Sequence, residues 1–343
     1  MSSIKEIARQ VGISPASVSI YLNDKKTNRV SAKTKTLIDK AVKDLNYHKN
    51  IFASCLSTHE SKMIGIIIPT ILPLFQNDYT NALLAGVQTR LSFLGYGMLF
   101  FPSSAQSSIE IVKEQLEKST GCDGYILFST GFCTLGQIQK NIKEVEKTER
   151  PFVTLNIPKI DDDDVNQVLL DDLDKPKGAQ YLLDKGHRNL LLVLGRHGGE
   201  HTRHLQNNYK KLLKEYEVPY EAGRVLHGEY SDEKAYTVVR EALKQYPDTT
   251  AICCMSDIMA ASSIKAVEAI QKTIPDDISI IGRNNSVHAK LSSPALTTID
   301  LHMQQVGSSA ANLLLDALSG NNVKQKIFMT GSLIERDSVR SLV

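Results

Sequence analysis

The chain has 343 residues, 42% apolar and 23% charged, an ordinary balance for a soluble globular protein long enough for two or three domains. Its longest apolar runs, 64–69 and 190–194, fall far short of a membrane span. Residues 1–20 have no secretion-signal pattern, and five scattered cysteines (55, 122, 133, 253 and 254) lack metal-ligand spacing, so a reduced cytoplasmic protein without metal or cofactor is expected. The net charge of +2 conceals an asymmetry: residues 1–60 carry ten Lys/Arg against five Asp/Glu, while the remainder is net −3, which suggests that a basic head meets a polyanion.

In chain order, Ser3 and Glu6 have the spacing of a capping box; Ile4, Ile7, Ala8 and Val11 repeat at helical spacing, and Gly12 ends the helix. Ser14 caps a second helix with Pro15 in its first position. Helix, glycine turn and helix within so short a span is the helix-turn-helix pattern. At about 100° per residue, Val18 and Leu22 share the face expected to pack on the first helix. Ala16, Ser19, Ile20 and Asn23 fall beside Pro15 on an outward face without charge. Asn23 suits a bidentate pair with adenine, and Ala16 or Ile20 suits a thymine methyl. The hydroxyls at helix starts and turns, Ser3, Ser14, Ser17, Ser31 and Thr34, suit phosphate oxygens. A third helix is predicted from about Ser31 to Asn46, with Ile38, Val42 and Leu45 inward. Periodicity and charge leave two readings open, a DNA-binding head and a three-helix packing or protein-docking module.

From Lys62 onward, strand-like apolar runs alternate with amphipathic helices. The runs MIGIIIP, GMLFF, GYILF and PFVTLN are separated by helices near 78–94, 108–118 and 134–147. A second series, NLLLVLG, AICCMS and ISIIG, is accompanied by helices near 175–186, 202–216, 232–246 and 257–271. Continuous apolar strands between helices imply parallel sheets covered on both faces. Two series imply two doubly wound α/β subdomains, with a ligand cleft at the strands' carboxyl ends. The acidic run at 161–164 lacks calcium-loop spacing and reads as a solvated loop crossing between the subdomains. His197, Glu200 and His201 spell H-x-x-E-H, with His204 close by. Zinc hydrolysis needs both histidines on one helical face, and Gly198-Gly199 after a strand makes a loop lip over the cleft the better reading. Leu/Ala repeats near 310–318 read as core, no heptad tail follows, and no catalytic constellation is present, so no enzyme is expected.

The strings IKEIARQVGISPASVSIYLN (4–23), VSAKTKTLIDKAVKDLNY (30–47) and NIFASCL (50–56) resemble the head of the lactose/galactose-repressor (LacI/GalR) family. Asp123-Gly124, Gly186-His187-Arg188, PDDISIIG (275–282), PALTTI (294–299) and ERDS (335–338) fall in that family's order and extend the resemblance over the whole chain. It implies a helix-turn-helix domain at 1–48, a hinge helix and linker at 49–60, and an effector-binding and dimerisation domain at 61–343. The body resembles periplasmic sugar-binding proteins, with a first subdomain at about 61–158 and 296–323 and a second at about 159–295 and 324–343. The hinge helix would enter the minor groove with Leu56 as a wedge that bends the duplex, Ala53 allowing close approach of the partner hinge and Asn50 at its start. This chain departs from the family pattern at Lys49, at Ser54-Cys55 and in a 24–29 loop about two residues longer than usual. Cys55 reads as a small apolar filler rather than a redox switch.

The resemblance further implies a homodimer on a pseudo-palindromic double-stranded operator, acting as a repressor of a carbohydrate-utilisation operon without touching a membrane. Closure of the cleft on a small effector, a sugar or sugar derivative, would reset the hinge spacing. Residues aligned with the family's effector contacts are Phe75, Asn156, Leu205, Ser256, Asp257 and Asn284. Sugar-binding members carry Asp near 156, Arg at 205, Asn at 256 and Asp near 284, so this set is more neutral, and Arg203 offers a charge from a shifted position. Two readings stay open: a pocket retuned to a modified or phosphorylated sugar, and a degenerate pocket with control by a protein partner.

Overall fold

The computed structural model describes residues 3–47, 60–69, 75, 77–101, 103, 105–128, 133–155, 165–170, 176–321 and 323–343. The chain divides into two compact units, 1–61 and 62–343.

The first unit holds α1 (Ile4–Val11), α2 (Pro15–Asn23) and α3 (Ala32–Asp44). Each begins on a serine whose hydroxyl oxygen accepts a backbone N–H of the first turn: Ser3 from Glu6, Ser14 from Ser17 and Ser31 from Thr34. Gly12 ends α1 at φ 74°, a left-handed conformation open to glycine. Ile7, Ala8, Val18, Tyr21, Val30, Ile38 and Ala41 form the core. Leu22, expected to face α1, is only half-buried, and Tyr21 takes the central place with 4% exposure. The buried direction of α2 thus lies between Val18 and Tyr21, one step round from the expected Val18–Leu22 face. In α3, Ile38 and Ala41 are buried, while Val42 and Leu45 pack at the edge.

The second unit contains two six-stranded sheets. In chain order its elements are β1 (Met63–Ile67), α4 (Asp78–Phe93), β2 (Gly97–Phe100), α5 (Ser108–Lys118), β3 (Gly124–Phe128), α6 (Leu135–Glu146), β4 (Phe152–Leu155) and β5 (Asn166–Leu170). There follow α7 (Lys177–Asp184), β6 (Leu190–Leu194), α8 (Glu200–Glu215), β7 (Val225–His227), α9 (Asp232–Gln245), β8 (Ala251–Cys254), α10 (Asp257–Glu268), β9 (Ser279–Arg283), α11 (Val287–Leu291) and β10 (Thr297–Asp300). The last are α12 (Met303–Leu318), β11 (Lys326–Met329) and β12 (Ser332–Ile334). The first sheet has the order β11-β5-β4-β3-β1-β2 and is parallel throughout. The second has the order β12-β10-β9-β8-β6-β7, parallel except for β10 against β12. These are the expected doubly wound subdomains, with the buried apolar strands β1, β3, β6 and β9 all inside their sheets and none at an edge.

The subdomain boundaries differ from those expected. β5 and β11 both belong to the first sheet, and β10 and β12 to the second. The acidic run at 161–164 lies outside the described residues, but the strands on either side of it, β4 and β5, are parallel neighbours in one sheet. The passage between subdomains therefore comes after Leu170. These strands escaped the apolar pattern because they are short and partly polar: Asn166, Gln167, Thr297 and Thr298 are all buried. Their polar groups are used internally, as when Asn166 Oδ1 accepts from Gln325 N–H at 3.0 Å and so guides β11 to its place.

Two close joins hold this frame. α4 and α12 touch through glycine: a Cβ on Gly86 would stand 1.9 Å from Gln304 O, and one on Gly307 2.1 Å from Leu83 O. In the second subdomain the chain's end is tied back to the sheet. Ser338 Oγ accepts from Thr297 N–H at 2.9 Å, and the buried His187 lies 3.1 Å from Thr250 Oγ1 and 3.2 Å from Arg340 O. Because a carbonyl only accepts, His187 Nε2 carries the proton and Nδ1 accepts from the threonine. Burial holds the His187 pKa below the usual imidazole value.

Candidate functional site

On α2, Pro15, Ala16 and Asn23 are exposed, and Ser19 and Ile20 are half-buried, on the side away from Val18 and Tyr21. This face is small and uncharged, as the sequence indicates. The capping hydroxyls sit in pairs, Ser14 with Ser17 at 2.9 Å and Ser31 with Thr34 at 2.8 Å. Each pair uses one hydroxyl hydrogen between its oxygens and keeps a second for an outside acceptor such as phosphate, beside the positive end of a helix. Ser3 differs: its hydroxyl donates to Glu6 Oε2 at 3.3 Å. Its place is first that of a helix cap, and the neighbouring carboxylate repels phosphate. Asn50, Ala53 and Leu56 lie outside the described residues.

Local periodicity gave no hint of a cluster beside this face, because its members are separated along the chain. Tyr21 donates its hydroxyl to Asp39 Oδ2 at 2.6 Å, and Lys25 Nζ lies 2.5 Å from Asp39 Oδ1 and 4.3 Å from the centre of the Tyr21 ring. The hydrogen bond to the carboxylate raises the Tyr21 pKa. Burial pushes Asp39 up, but its bonds from Lys25 and Tyr21 outweigh that and hold it below the usual carboxylate range.

In the second unit, segments leaving the carboxyl ends of the two sheets meet. Glu200 N–H, at the start of α8, donates to Cys133 O beyond β3 at 3.3 Å. His288 Nε2 on α11 lies 3.4 Å from Asp78 Oδ2 at the start of α4. The carboxyl ends thus face one another across the subdomain boundary, the position at which open α/β sheets bind ligands.

Of the expected effector contacts, some line this region and others do not. Phe75 is 64% exposed and stands edge-on to Phe100 at the end of β2, ring centres 5.9 Å apart. Asn284 is half-buried at φ 104°, in a tight turn beyond β9 that Asn285 also enters at φ 50°. Ser256 is buried and caps α10. Asp257 is 1% exposed with both oxygens engaged, accepting from Thr298 Oγ1 at 2.6 Å and Ser286 N–H at 2.7 Å. Burial raises its pKa despite these bonds. It fastens β10 and the 284–286 turn to α10, which makes it a tie of the cleft wall before it is a ligand contact. Leu205 is 7% exposed and packs in the hydrophobic core, because its place on α8 aligns with Leu212 and Tyr209 on the inward face. Arg203 is 63% exposed, but its guanidinium is paired with both Glu200 oxygens, at 2.5 and 3.2 Å, so its charge is already compensated. Asn156 lies outside the described residues.

The expected loop lip at 197–201 is only half a loop. His197 precedes the helix, its ring edge-on to His227 at 4.9 Å, whereas Glu200 and His201 open α8 and are buried. The two histidines of the H-x-x-E-H string do not share a helical face, and among the described residues no group of three His, Cys, Asp or Glu is able to hold a metal. His227, at the end of β7, and Tyr230, in the turn beyond it, were not anticipated at the cleft, because β7 is only three residues long. A Cβ on Gly195 would come within 2.5 Å of the Tyr230 ring, so the glycine at the end of β6 makes room for it. Among the described residues no helix is long and apolar enough to cross a membrane.

A helix-turn-helix unit joined in one chain to a two-sheet unit with a carboxyl-end cleft defines a DNA-binding regulator with a ligand-binding body. Residues 3–50 match the lacI family of bacterial regulatory proteins, and residues 179–339 match the periplasmic binding protein-like domain. The helix-turn-helix head matches the lacI family of bacterial regulatory proteins, and the chain as a whole is similar to regulators of that kind. It is 27% identical over 346 residues to the HTH-type transcriptional repressor PurR of Pectobacterium atrosepticum, covering 99% of this chain and 97% of that protein. Its fold matches the Lac repressor dimer bound to operator and the anti-inducer ONPF, with a TM-score of 0.85, 22% identity and 99% of each chain covered. A LacI-family regulator from Enterococcus faecium with bound ribose matches with a TM-score of 0.67 at 25% identity, over 82% of this chain and 100% of that one. These relatives are regulators, in keeping with the absence of an expected catalytic role.

Proposed function

We propose that this protein is a homodimeric, cytoplasmic transcriptional repressor that releases or grips a pseudo-palindromic operator according to a small ligand in the cleft. The observation that carries the reading is the pairing of an uncharged, outward helical face on α2 with a separate two-sheet body whose carboxyl ends converge. Repression is supported by the relatives of matching length, which are repressors. One head reads only a half-site, so a palindromic target requires two. Asn23, Ser19, Ala16 and Ile20 would meet base edges, the paired hydroxyls of Ser14, Ser17, Ser31 and Thr34 the phosphates, and Leu56 the minor groove with Asn50 and Ala53.

For the effector we favour a sugar or sugar derivative. Ser256, Asn284 and the exposed Phe75 ring offer hydroxyl partners and a flat apolar surface, and Asn156 is the uncharged residue that the sequence adds to them. Genome-wide mapping of bound sites tests the regulator reading and, through the neighbouring genes, narrows the effector. A thermal-shift panel of free and phosphorylated sugars tests the pocket: ligand at 100 times its Kd adds about 2.7 kcal/mol of stability. A flat response across the panel, with operator binding intact, favours control by a protein partner.

A further inference from the structure

The reading helix carries no cation, yet duplex binding draws much of its strength from phosphate neutralisation. The segment that follows α2 has three cations in five residues, Lys25, Lys26 and Arg29, and its backbone is fixed at several points. Asp24 Oδ1 accepts from Lys26 N–H at 2.9 Å, Thr27 N–H donates to Asp24 O at 3.1 Å, and Arg29 N–H donates to Thr27 Oγ1 at 3.3 Å. Thr27 and Val30 are buried. Lys25 is drawn sideways onto Asp39 and the face of Tyr21, and its carbonyl accepts from Lys35 Nζ at 3.3 Å. Lys26 and Arg29 remain exposed, and no carboxylate of the described residues pairs with either.

We propose that Tyr21, Lys25 and Asp39 clamp residues 24–29 into a stiff arm whose Lys26 and Arg29 contact DNA phosphates, supplying the charge that the reading helix lacks. The division of labour follows from the geometry. Lys25 is neutralised by Asp39 and serves as an internal strut. Lys26 and Arg29 are held on a backbone that cannot swing away, so less freedom is lost when they meet the duplex. Tyr21 and Asp39 are positioning residues, acting on DNA through the arm.

The inference rests on the regulator reading, and the test separates the two. Full-length protein is titrated by fluorescence anisotropy against an operator recovered by mapping and against a random-sequence duplex, over a series of salt concentrations. The Lys26→Gln, Arg29→Gln double variant should lower the steepness of log affinity against log salt by about 1.8, which is roughly 30-fold in affinity near 0.15 M salt, on both duplexes. Tyr21→Phe keeps the ring under Lys25 and removes the bond to Asp39. It should weaken operator binding several-fold in the otherwise unchanged protein and have no further effect in the double variant. An unchanged salt dependence in the double variant overturns the phosphate contacts. An equal effect of Tyr21→Phe in both backgrounds overturns the clamp, since general support of the head would act regardless of the arm. Wild-type protein that binds neither duplex overturns the regulator reading itself and the arm with it.

Discussion

Replacing Asp257 separates a residue that holds the cleft wall from one that only touches effector. Its carboxylate accepts from the Thr298 hydroxyl and the Ser286 N–H while 1% exposed. Asp257→Ala leaves the buried Thr298 hydroxyl and the half-buried Ser286 N–H without this partner, at about 1–3 kcal/mol for the first and less for the second, or about 3 kcal/mol together. Asp257→Asn is milder. Its amide oxygen serves Ser286, its NH2 donates to Thr298 Oγ1, and removing a charge that burial already disfavours offsets the weaker bonds, so the change stays within about 1 kcal/mol. The pH sign agrees: a carboxyl whose folded pKa is raised burdens the folded state above that pKa and less as pH falls, so acid unfolding does not begin here. Urea unfolding of the two variants, with effector titration beside it, reads both consequences. An Asp257→Ala protein as stable as wild type but deaf to effector would refute the structural assignment and restore a pure contact role.

Gly86→Ala should cost about 3 kcal/mol or more, since its Cβ would lie 1.9 Å from a backbone oxygen that cannot step aside. Gly136→Ala on α6, with nothing within 4 Å, should instead gain up to about 1 kcal/mol; denaturant midpoints compare the two, and equal shifts would disprove the close helix join. His187 is buried neutral with its pKa lowered by burial, so its contribution is constant above the unfolded value near 6.5 and is lost as pH falls below it towards the folded pKa. Melting curves between pH 8 and 5, on the order of the range where imidazoles titrate, should show that decline, and His187→Gln should flatten it; an identical profile in the variant would count against it. Ile38→Ala removes a fully buried side chain from a seven-residue core and costs about 2–5 kcal/mol, enough to unfold so small a unit. Operator binding should vanish while effector-induced stabilisation of the body persists, and loss of both would refute the independence of the two units.

Much of the architecture was legible because burial writes itself into long apolar runs. β1, β3, β6 and β9 are enclosed on both faces and need continuous apolar sequence, and α4, α5, α6 and α9 start and stop within two residues of their predicted ends. The capping box at Ser3 and Glu6, the αL glycine at Gly12 and the Ser14-Pro15 start are local devices, and the structure realises each of them. What failed was long-range. β5 and β10 are short and carry buried polar residues, and β11 is short and not fully buried, placed by a partner 159 residues away, as in Asn166 with Gln325, so neither their existence nor their sheet can be read from a window of ten residues.

The same distinction governs the two candidate sites. The proposed DNA-reading face is a property of one helix, and its outward residues follow from angular position alone; the error of one step, Tyr21 for Leu22, arose because a tyrosine's polar tip disguised it as a surface residue. That tip is buried against Asp39, 18 residues on, and through it the basic segment after α2 is held. The cleft is assembled from strand ends of two sheets, so a residue's role depends on which way its helix or turn leaves the strand. Leu205 and Arg203 are two positions apart on α8 and therefore about 200° apart around it, which sends one into the core and leaves the other outside, paired with Glu200. Tyr230 reaches the cleft only because Gly195, just past the end of β6, has no side chain. Effector selectivity in such a site is thus set by pairs of positions on different strands, and exchanging single contact residues between relatives, without the glycines and ties behind them, should transfer little of it.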